Sequence, residues 1–180
     1  FASGVDSFPL LAVAFFTLSG NIMNTGGVTK RIFSWADHLV GHFTGGLAHT
    51  NVLASVILAG MSGSAIADTG GLGAIELKAM KDAGYDEDIS LAVTGASSLI
   101  GPIIPPSVPL IIFGVTASTS VGALFNAGII PGFIIAGIMM FLNWLICKGT
   151  NYEKRKRSTF KEFWACTQWA FWSLLLPIAI

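Results

Sequence analysis

Charge is what this sequence lacks. Only 11% of its 180 residues are Asp, Glu, Lys or Arg, against roughly 25% in a soluble domain. No charged residue stands between Asp37 and Asp68, and none between Asp88 and Lys148. Apolar tracts of that length exclude a soluble globular domain and imply a polytopic helical membrane protein. Cysteine is scarce as well. Cys147 and Cys166 have no metal or redox spacing, which leaves apolar packing as their reading. No P-loop, zinc spacing or dinucleotide fingerprint is present. The 10 basic and 10 acidic side chains cancel, but they segregate by position. No nucleic-acid partner is expected. Phe1 is not an initiator Met, and no basic stretch precedes the apolar start, so no signal peptide is read. The last ten residues form an apolar run. The chain is therefore expected to be a piece of something larger.

What is present is a pair of breaks in apolar sequence. One is Ser62-Gly63-Ser64, followed by Asp68; the other is Gly101-Pro102-Ile103-Ile104-Pro105-Pro106-Ser107. Broken backbone at membrane depth is tolerated only where it faces protein or a watery cavity. Two such breaks exceed what an anchor needs, and they mark places where an ion or solute can be held.

Around the breaks the pattern divides the chain into seven segments. Residues 1–28 read as a membrane helix, ended by Asn24-Thr25-Gly26-Gly27. Residues 29–44 carry Ile32, Phe33, Trp35, Ala36, Leu39 and Val40 at helical spacing. They suit either an amphipathic helix along the membrane interface or a surface helix packed on protein. Residues 45–88 hold two limbs of about 15–17 residues, short of the roughly 20 a crossing helix needs. Joined by a Ser/Gly tip, the limbs suggest a re-entrant hairpin, with a charged connector around Gly84-Tyr85. Residues 89–118 are a helix broken by the proline motif. Residues 119–147 are one long span, with Pro131-Gly132 as a kink or boundary. Residues 148–162 form a loop with Lys148, Lys154, Arg155, Lys156, Arg157 and Lys161. Residues 163–180 begin a further Trp-rich membrane helix. Basic loops stay cytoplasmic. A hairpin that adds no crossing puts Lys30-Arg31 and the basic loop on the same side, so the hairpin is expected to enter from the cytoplasm.

The breaks also carry the chemistry. A half-helix ending inside the membrane exposes carbonyls that can bind a cation, or amides that can bind an anion. Gly63 allows a tight turn, and Ser62 and Ser64 add hydroxyl oxygens. A carboxylate at membrane depth, as at Asp68, defaults to a functional hypothesis; it can hold the tip, bind a cation or contact solute. Pro102, Pro105 and Pro106 remove three backbone donors and forbid regular helix. Carbonyls of Ser98, Gly101 and Ile104 become candidates to point sideways, beside the hydroxyls of Ser97, Ser98 and Ser107. Small-residue helix packing, a helix cap and a simple proline kink are the plainer readings of the same residues.

At these residues a resemblance becomes specific. The run GGLAHTNVLASVILAGMSGSAIADTGGLGAIELKAMKDAGYD, then GPIIPPSVPLIIFGV, then LFNAGIIPG, resembles the large membrane subunit of TRAP (tripartite ATP-independent periplasmic) transporters. The upstream SFPLLAVAFFTLSGNIMNTGGVTKRIF is similar to the family too. The resemblance implies a multi-pass secondary transporter of the bacterial inner membrane, driven by Na⁺ and working by an elevator motion. It implies an all-α fold of two inverted repeats, each with a hairpin and a broken helix, of which this chain covers one. It implies as partners a small membrane subunit, separate or fused, a periplasmic substrate-binding protein, the remainder of the large subunit with its second repeat, and the lipid bilayer. The cargo would be an organic acid. The tip version Asp68-Thr69-Gly70-Gly71-Leu72-Gly73 is similar to that of sialic-acid-type members, with dicarboxylate and sugar-acid members not excluded. By motif the resemblance assigns a Na⁺ site to Ser62, Gly63, Ser64, Ser98, Gly101, Ile104, Pro105 and Ser107. It assigns an adjoining solute wall to Ser64, Asp68, Thr119 and Ser120.

Two readings from other classes use the same residues. A re-entrant-loop channel would have the broken helices and need no binding protein. Gly60-Met61-Ser62-Gly63 matches the G-x-S-G pattern of rhomboid-type intramembrane serine proteases, which also need a histidine base at membrane depth. His38, His42 and His49 all precede the tip, near the presumed interface. A non-enzymatic transport subunit is therefore expected.

Overall fold

The computed structural model describes residues 8–150, 152, 155 and 157–179; the side chains at 8–12, 16, 24, 61, 62 and 176–179 lie outside that description. The expectations for residues 1–7, Lys154, Lys156 and the Ser62 hydroxyl lie outside the described residues. Every regular element among the described residues is a helix. In order they are α1 (Phe8–Thr25), α2 (Val28–Val40), α3 (Gly46–Ser62), α4 (Ala65–Asp82), α5 (Glu87–Ser98), α6 (Val108–Thr116), α7 (Val121–Cys147) and α8 (Phe160–Ala179).

Helix α3 is the hub. It packs on α1, α2, α4, α5, α7 and α8, because small and apolar residues surround it and its polar Thr50, Asn51 and Ser55 are buried among them. Three buried clusters share it. Ala54 and Leu58 meet Ile32, Phe33 and Ala36 of α2 and Leu72 of α4. Val52 and Ala59 meet Ile100, Ile104 and Ala136. Ala48 joins Met80, Tyr85, Val93, Cys147 and Tyr152. The apolar stripe of α2 is thus covered within the chain, by α3 and by α8, where Trp35 Nε1 donates to Thr167 Oγ1 at 3.1 Å.

The two ends of the α3–α4 pair lie together. Gly45 sits against Cys147, so close that a Cβ would come within 2.7 Å of the cysteine sulfur. Tyr85, after α4, stacks on Tyr152 with ring centroids 4.0 Å apart, and Tyr152 Oη donates to Asp86 at 2.9 Å. Arg155 pairs with Asp37, and its N–H donates to Gly41 O at 3.2 Å. Tyr152 and Arg155 of the basic loop therefore lie over the end of α2, the start of α3 and the end of α4. The α3–α4 connection is at the opposite end of the pair.

Among the described residues, α7 is the one helix long and apolar enough to cross a membrane by length and composition. It runs through Pro131 without interruption; the boundary considered there is absent. Pro131 has no N–H to give Ala127 O, and the helix continues past that one missing bond, as membrane helices tolerate. Gly132, next to it, lets Ile104 pack against the helix backbone. Much of α7 is bare: Phe133, Ile134, Ile138 and Phe141 are all more than half exposed. An apolar face of that extent is a contact surface for lipid or further protein.

Candidate functional site

The α3–α4 tip is built by the turn that the Ser-Gly-Ser sequence permits. Gly63 ends α3 in the left-handed region, φ 56°, and its N–H donates to Ala59 O. Ser64 is extended and caps α4, accepting from Ala67 N–H at 3.4 Å. On the facing segment, Pro102 to Pro106 hold the chain out of helix until Ser107 starts α6. The Ser107 hydroxyl accepts from Leu110 N–H at 3.3 Å and donates back to Pro102 O at 2.5 Å, bracing the break.

These two irregular segments touch. Val108 N–H donates to Gly63 O at 3.3 Å. A Cβ on Gly63 would stand 2.7 Å from Pro106 O and 3.0 Å from Val108 N. Four helix ends therefore converge: the C-terminal ends of α3 and α5, and the N-terminal ends of α4 and α6. The first two present carbonyls, the partial charge that suits a cation; the last two present amides, which suit an anion. One junction can thus serve both charges.

Asp68 belongs to the same junction. It is 5% exposed, and its Oδ2 lies against the Gly101 backbone, where a Cβ would approach within 2.5 Å. Next to it, Thr69 Oγ1 donates to Ser98 Oγ at 2.8 Å, and Ser98 Oγ donates to Gly95 O at 2.9 Å. Ser98 O accepts from Gly101 N–H at 3.2 Å, so one lone pair of that carbonyl is used in a turn. A cavity of about 120 Å³ opens beside the tip, lined by Thr17, Asn21, Thr29, Ser64, Asp68 and Val108 among others. It has room for a few waters or an ion, and polar groups from α1 to meet them.

The family model described as tripartite ATP-independent periplasmic transporter, DctM component, matches residues 1–180. The chain belongs to this family. It is 50% identical over 176 residues to the sialic acid TRAP transporter permease protein SiaT of Haemophilus influenzae (strain 86-028NP), covering 98% of this chain and 29% of that protein. It is 50% identical over 177 residues to the sialic acid TRAP transporter large permease protein SiaM of Vibrio cholerae, covering 98% and 42%. It is 42% identical over 178 residues to the 2,3-diketo-L-gulonate TRAP transporter large permease protein YiaN of Escherichia coli K12, covering 99% and 42%. The chain thus spans less than half the length of each. These relatives are permease proteins, not enzymes.

Within this DctM-family chain, Gly63, Ser64, Asp68, Ser98, Gly101, Pro105 and Ser107 lie on the two facing segments. Ile104 is 8% exposed and packs with Val52, Ala59 and Ala136, so its side chain is core and its backbone belongs to the break. Thr119 and Ser120 are not brought to the tip: α6 separates them from Ser107. Thr119 Oγ1 donates to Ala117 O, and Ser120 caps α7 by accepting from Ala123 N–H.

Sequence reading missed a second polar layer under the tip. Asn51 of α3 is fully buried; its Nδ2 donates to Thr94 Oγ1 at 2.8 Å, and its Oδ1 accepts from Ser97 Oγ at 2.5 Å. Glu76 was missed too. It is 1% exposed on α4. The available signals were an amide inside an apolar limb, and a second carboxylate two helical turns from the first on one helix face.

Proposed function

We propose that this chain is the part of a TRAP transporter large membrane subunit that carries one Na⁺ site and one wall of the solute site. The observation that carries the reading is the junction of the tip with the broken helix through Gly63 and Val108. In this reading α3 and α4 form a re-entrant hairpin, entered from the cytoplasm. The gathering of both hairpin ends under the basic loop supports it, since basic loops stay cytoplasmic. At 17 residues, α3 spans about 26 Å at 1.5 Å per residue, less than the roughly 30 Å hydrocarbon core. Helices α5 and α6 act as one discontinuous span.

Na⁺ is cargo here. Backbone carbonyls of Gly63, Gly101, Ile104 and Pro105, with hydroxyls of Ser62, Ser64, Ser98 and Ser107, supply the oxygens a hard cation takes without requiring a full charge. Asp68 against Gly101 ties the ion shell to the solute wall. It is a poor direct partner for an acidic cargo, because like charges repel strongly at low dielectric. It orients the tip or accepts hydrogen bonds from the hydroxyl or amide part of an organic acid. The relatives named for sialic acid favour that cargo over a dicarboxylate or another sugar acid. Completion of the site requires a second, inverted repeat, and the cycle requires a small membrane subunit and a periplasmic binding protein in the bacterial inner membrane. The hairpin would travel with its cargo as a rigid body, the elevator motion.

The test is Na⁺-driven uptake by the complete transporter carrying Ser62→Ala and Ser64→Ala. The expected result is a right-shifted Na⁺ dependence at normal protein level; an unchanged curve removes the Na⁺ assignment. Topology is checked separately with single cysteines at Phe43 and Lys81. Labelling from opposite faces of the membrane rules out the hairpin.

A further inference from the structure

Glu76 has no role in the site just described, yet it is among the most completely buried side chains of the chain. Its Oε1 is buried without a hydrogen-bond partner. It lies on the face of α4 that carries Asp68, Leu72 and Met80, all buried. Asp68 is two helical turns away, about 12 Å along the axis at 1.5 Å per residue.

The seam between the two carboxyls is polar. Along α4, Thr69 bonds Ser98, and Gly73 lies against Thr94, where a Cβ would meet the threonine methyl at 2.9 Å. Thr94 continues to Asn51, and Asn51 to Ser97. Asn51 stands twelve residues before Gly63 and Glu76 thirteen after it, so across the paired limbs they fall at the same depth. Hydroxyl and amide groups thus run from the Asp68 pocket towards Glu76.

Among the described residues, no cation from the elements packed on α4 pairs with Glu76. Helix α3 contributes His49, fourteen residues before Gly63 and so at a similar depth, but its Nε2 is engaged by Thr44 O at 3.2 Å. Helix α5 contributes Glu87 and Asp88, exposed at its first turn. Helix α2 contributes Lys30, Arg31, Asp37 and His38; Lys30 and Asp37 line a groove with Lys78 and Asp82, along the face of α4 away from Glu76. The described part of α1 contributes none. An ionised carboxylate in such a place is strongly disfavoured. A leucine or glutamine would fill the seam without that cost.

We propose that Glu76 is a proton-binding site: its carboxyl carries a proton in this packed arrangement and exchanges it with water when the α4–α5 seam loosens. The proton comes from bulk water and returns to it, and no other bond changes. The proposal on proton occupancy stands independently of the transport reading. Its consequence, a pH-dependent step in uptake, rests on that reading.

Two measurements test it on the complete subunit in lipid. The first is the infrared carbonyl band of a protonated carboxylic acid. The band should persist at neutral pH in the wild type and in Asp68→Asn, and be lost in Glu76→Gln. A wild type without the band at neutral pH, or a band that survives Glu76→Gln, overturns the proposal. If Glu76→Gln does not fold, Glu76→Asp replaces it; the band should then shift, and an unmoved band overturns the assignment equally. The second is the pH profile of Na⁺-driven uptake. Glu76→Gln should flatten it, whereas an unchanged profile with the infrared band lost would leave proton binding standing and overturn the coupling alone.

Discussion

Replacing Gly63 with alanine tests the junction most directly. At φ 56° a residue with a Cβ is strained by about 1–2 kcal/mol. The new Cβ would stand 2.7 Å from Pro106 O and 3.0 Å from Val108 N. Both are backbone atoms, so no side chain can rotate aside and the tip must move off the broken helix. That movement loosens the Val108 N–H bond to Gly63 O, worth about 0.5–1.5 kcal/mol. The sum is roughly 1.5–3.5 kcal/mol. At about 1.4 kcal/mol per factor of ten, the Na⁺ concentration for half-maximal uptake should rise roughly tenfold or more. The assay is radiolabelled solute uptake by the complete transporter against Na⁺, at matched protein level. Gly70→Ala is the control. It lies on the same hairpin with nothing within 4 Å of a new Cβ, and alanine favours helix by about 1 kcal/mol there. Wild-type Na⁺ dependence in Gly63→Ala would refute the claim that tip and broken helix form one ion site.

Other changes follow from the same geometry. Asp68→Asn keeps the volume against Gly101 and removes the charge; uptake at limiting Na⁺ should fall at least tenfold while the subunit still docks its binding protein, and full uptake would make the carboxylate structural. Tyr152→Ala removes the stack on Tyr85 and the bond to Asp86, together about 1–3 kcal/mol. It should lower the melting temperature in detergent, with Tyr152→Phe falling between. Burial pushes the Tyr85 phenol up to about 12. Because the neutral form is favoured in the folded state, the stability this contributes is complete below about pH 10 and is lost as pH rises through about 12. Phenolate absorbance of the folded subunit should show a late step that Tyr85→Phe lacks.

The helix pair and the broken helix were legible because their punctuation is local. The expectation of two limbs within residues 45–88, joined by a Ser/Gly tip, stands beside helices Gly46–Ser62 and Ala65–Asp82. A glycine that must turn left-handed and prolines that cannot continue a helix are visible one residue at a time. What lay across chain distance was not legible. Glu76 sits just before the charged connector and looks like its first member; only the four-residue period from Asp68 through Leu72 shows that it faces inward. Tyr152 and Arg155 read as part of a solvated basic loop, because nothing local reports a ring stack on Tyr85 or a pairing with Asp37. Thr119 and Ser120 were assigned to the solute wall by the resemblance alone; in the fold Thr119 Oγ1 bonds Ala117 O and Ser120 caps α7, a role that a serine before a long apolar run equally describes.

The bond from Asn143 Nδ2 to Ala48 O, 3.1 Å long and 95 residues apart in sequence, bears on how such a chain is assembled during synthesis. Helix α3 emerges from the ribosome after α1 and α2 but before α5 and α7. It is too short to span the bilayer unaided, and it carries buried Thr50, Asn51 and Ser55. Hydropathy alone gives the insertion machinery little reason to keep it in the membrane. Its companions arrive later: α5 to meet Asn51, then α7 to meet Ala48. In the proposed re-entrant arrangement the hairpin would therefore enter the bilayer late, waiting at the cytoplasmic surface until α7 is threaded. Nascent chains arrested before residue 143 should leave Asn51 open to water-soluble reagents, and chains arrested well after it should not.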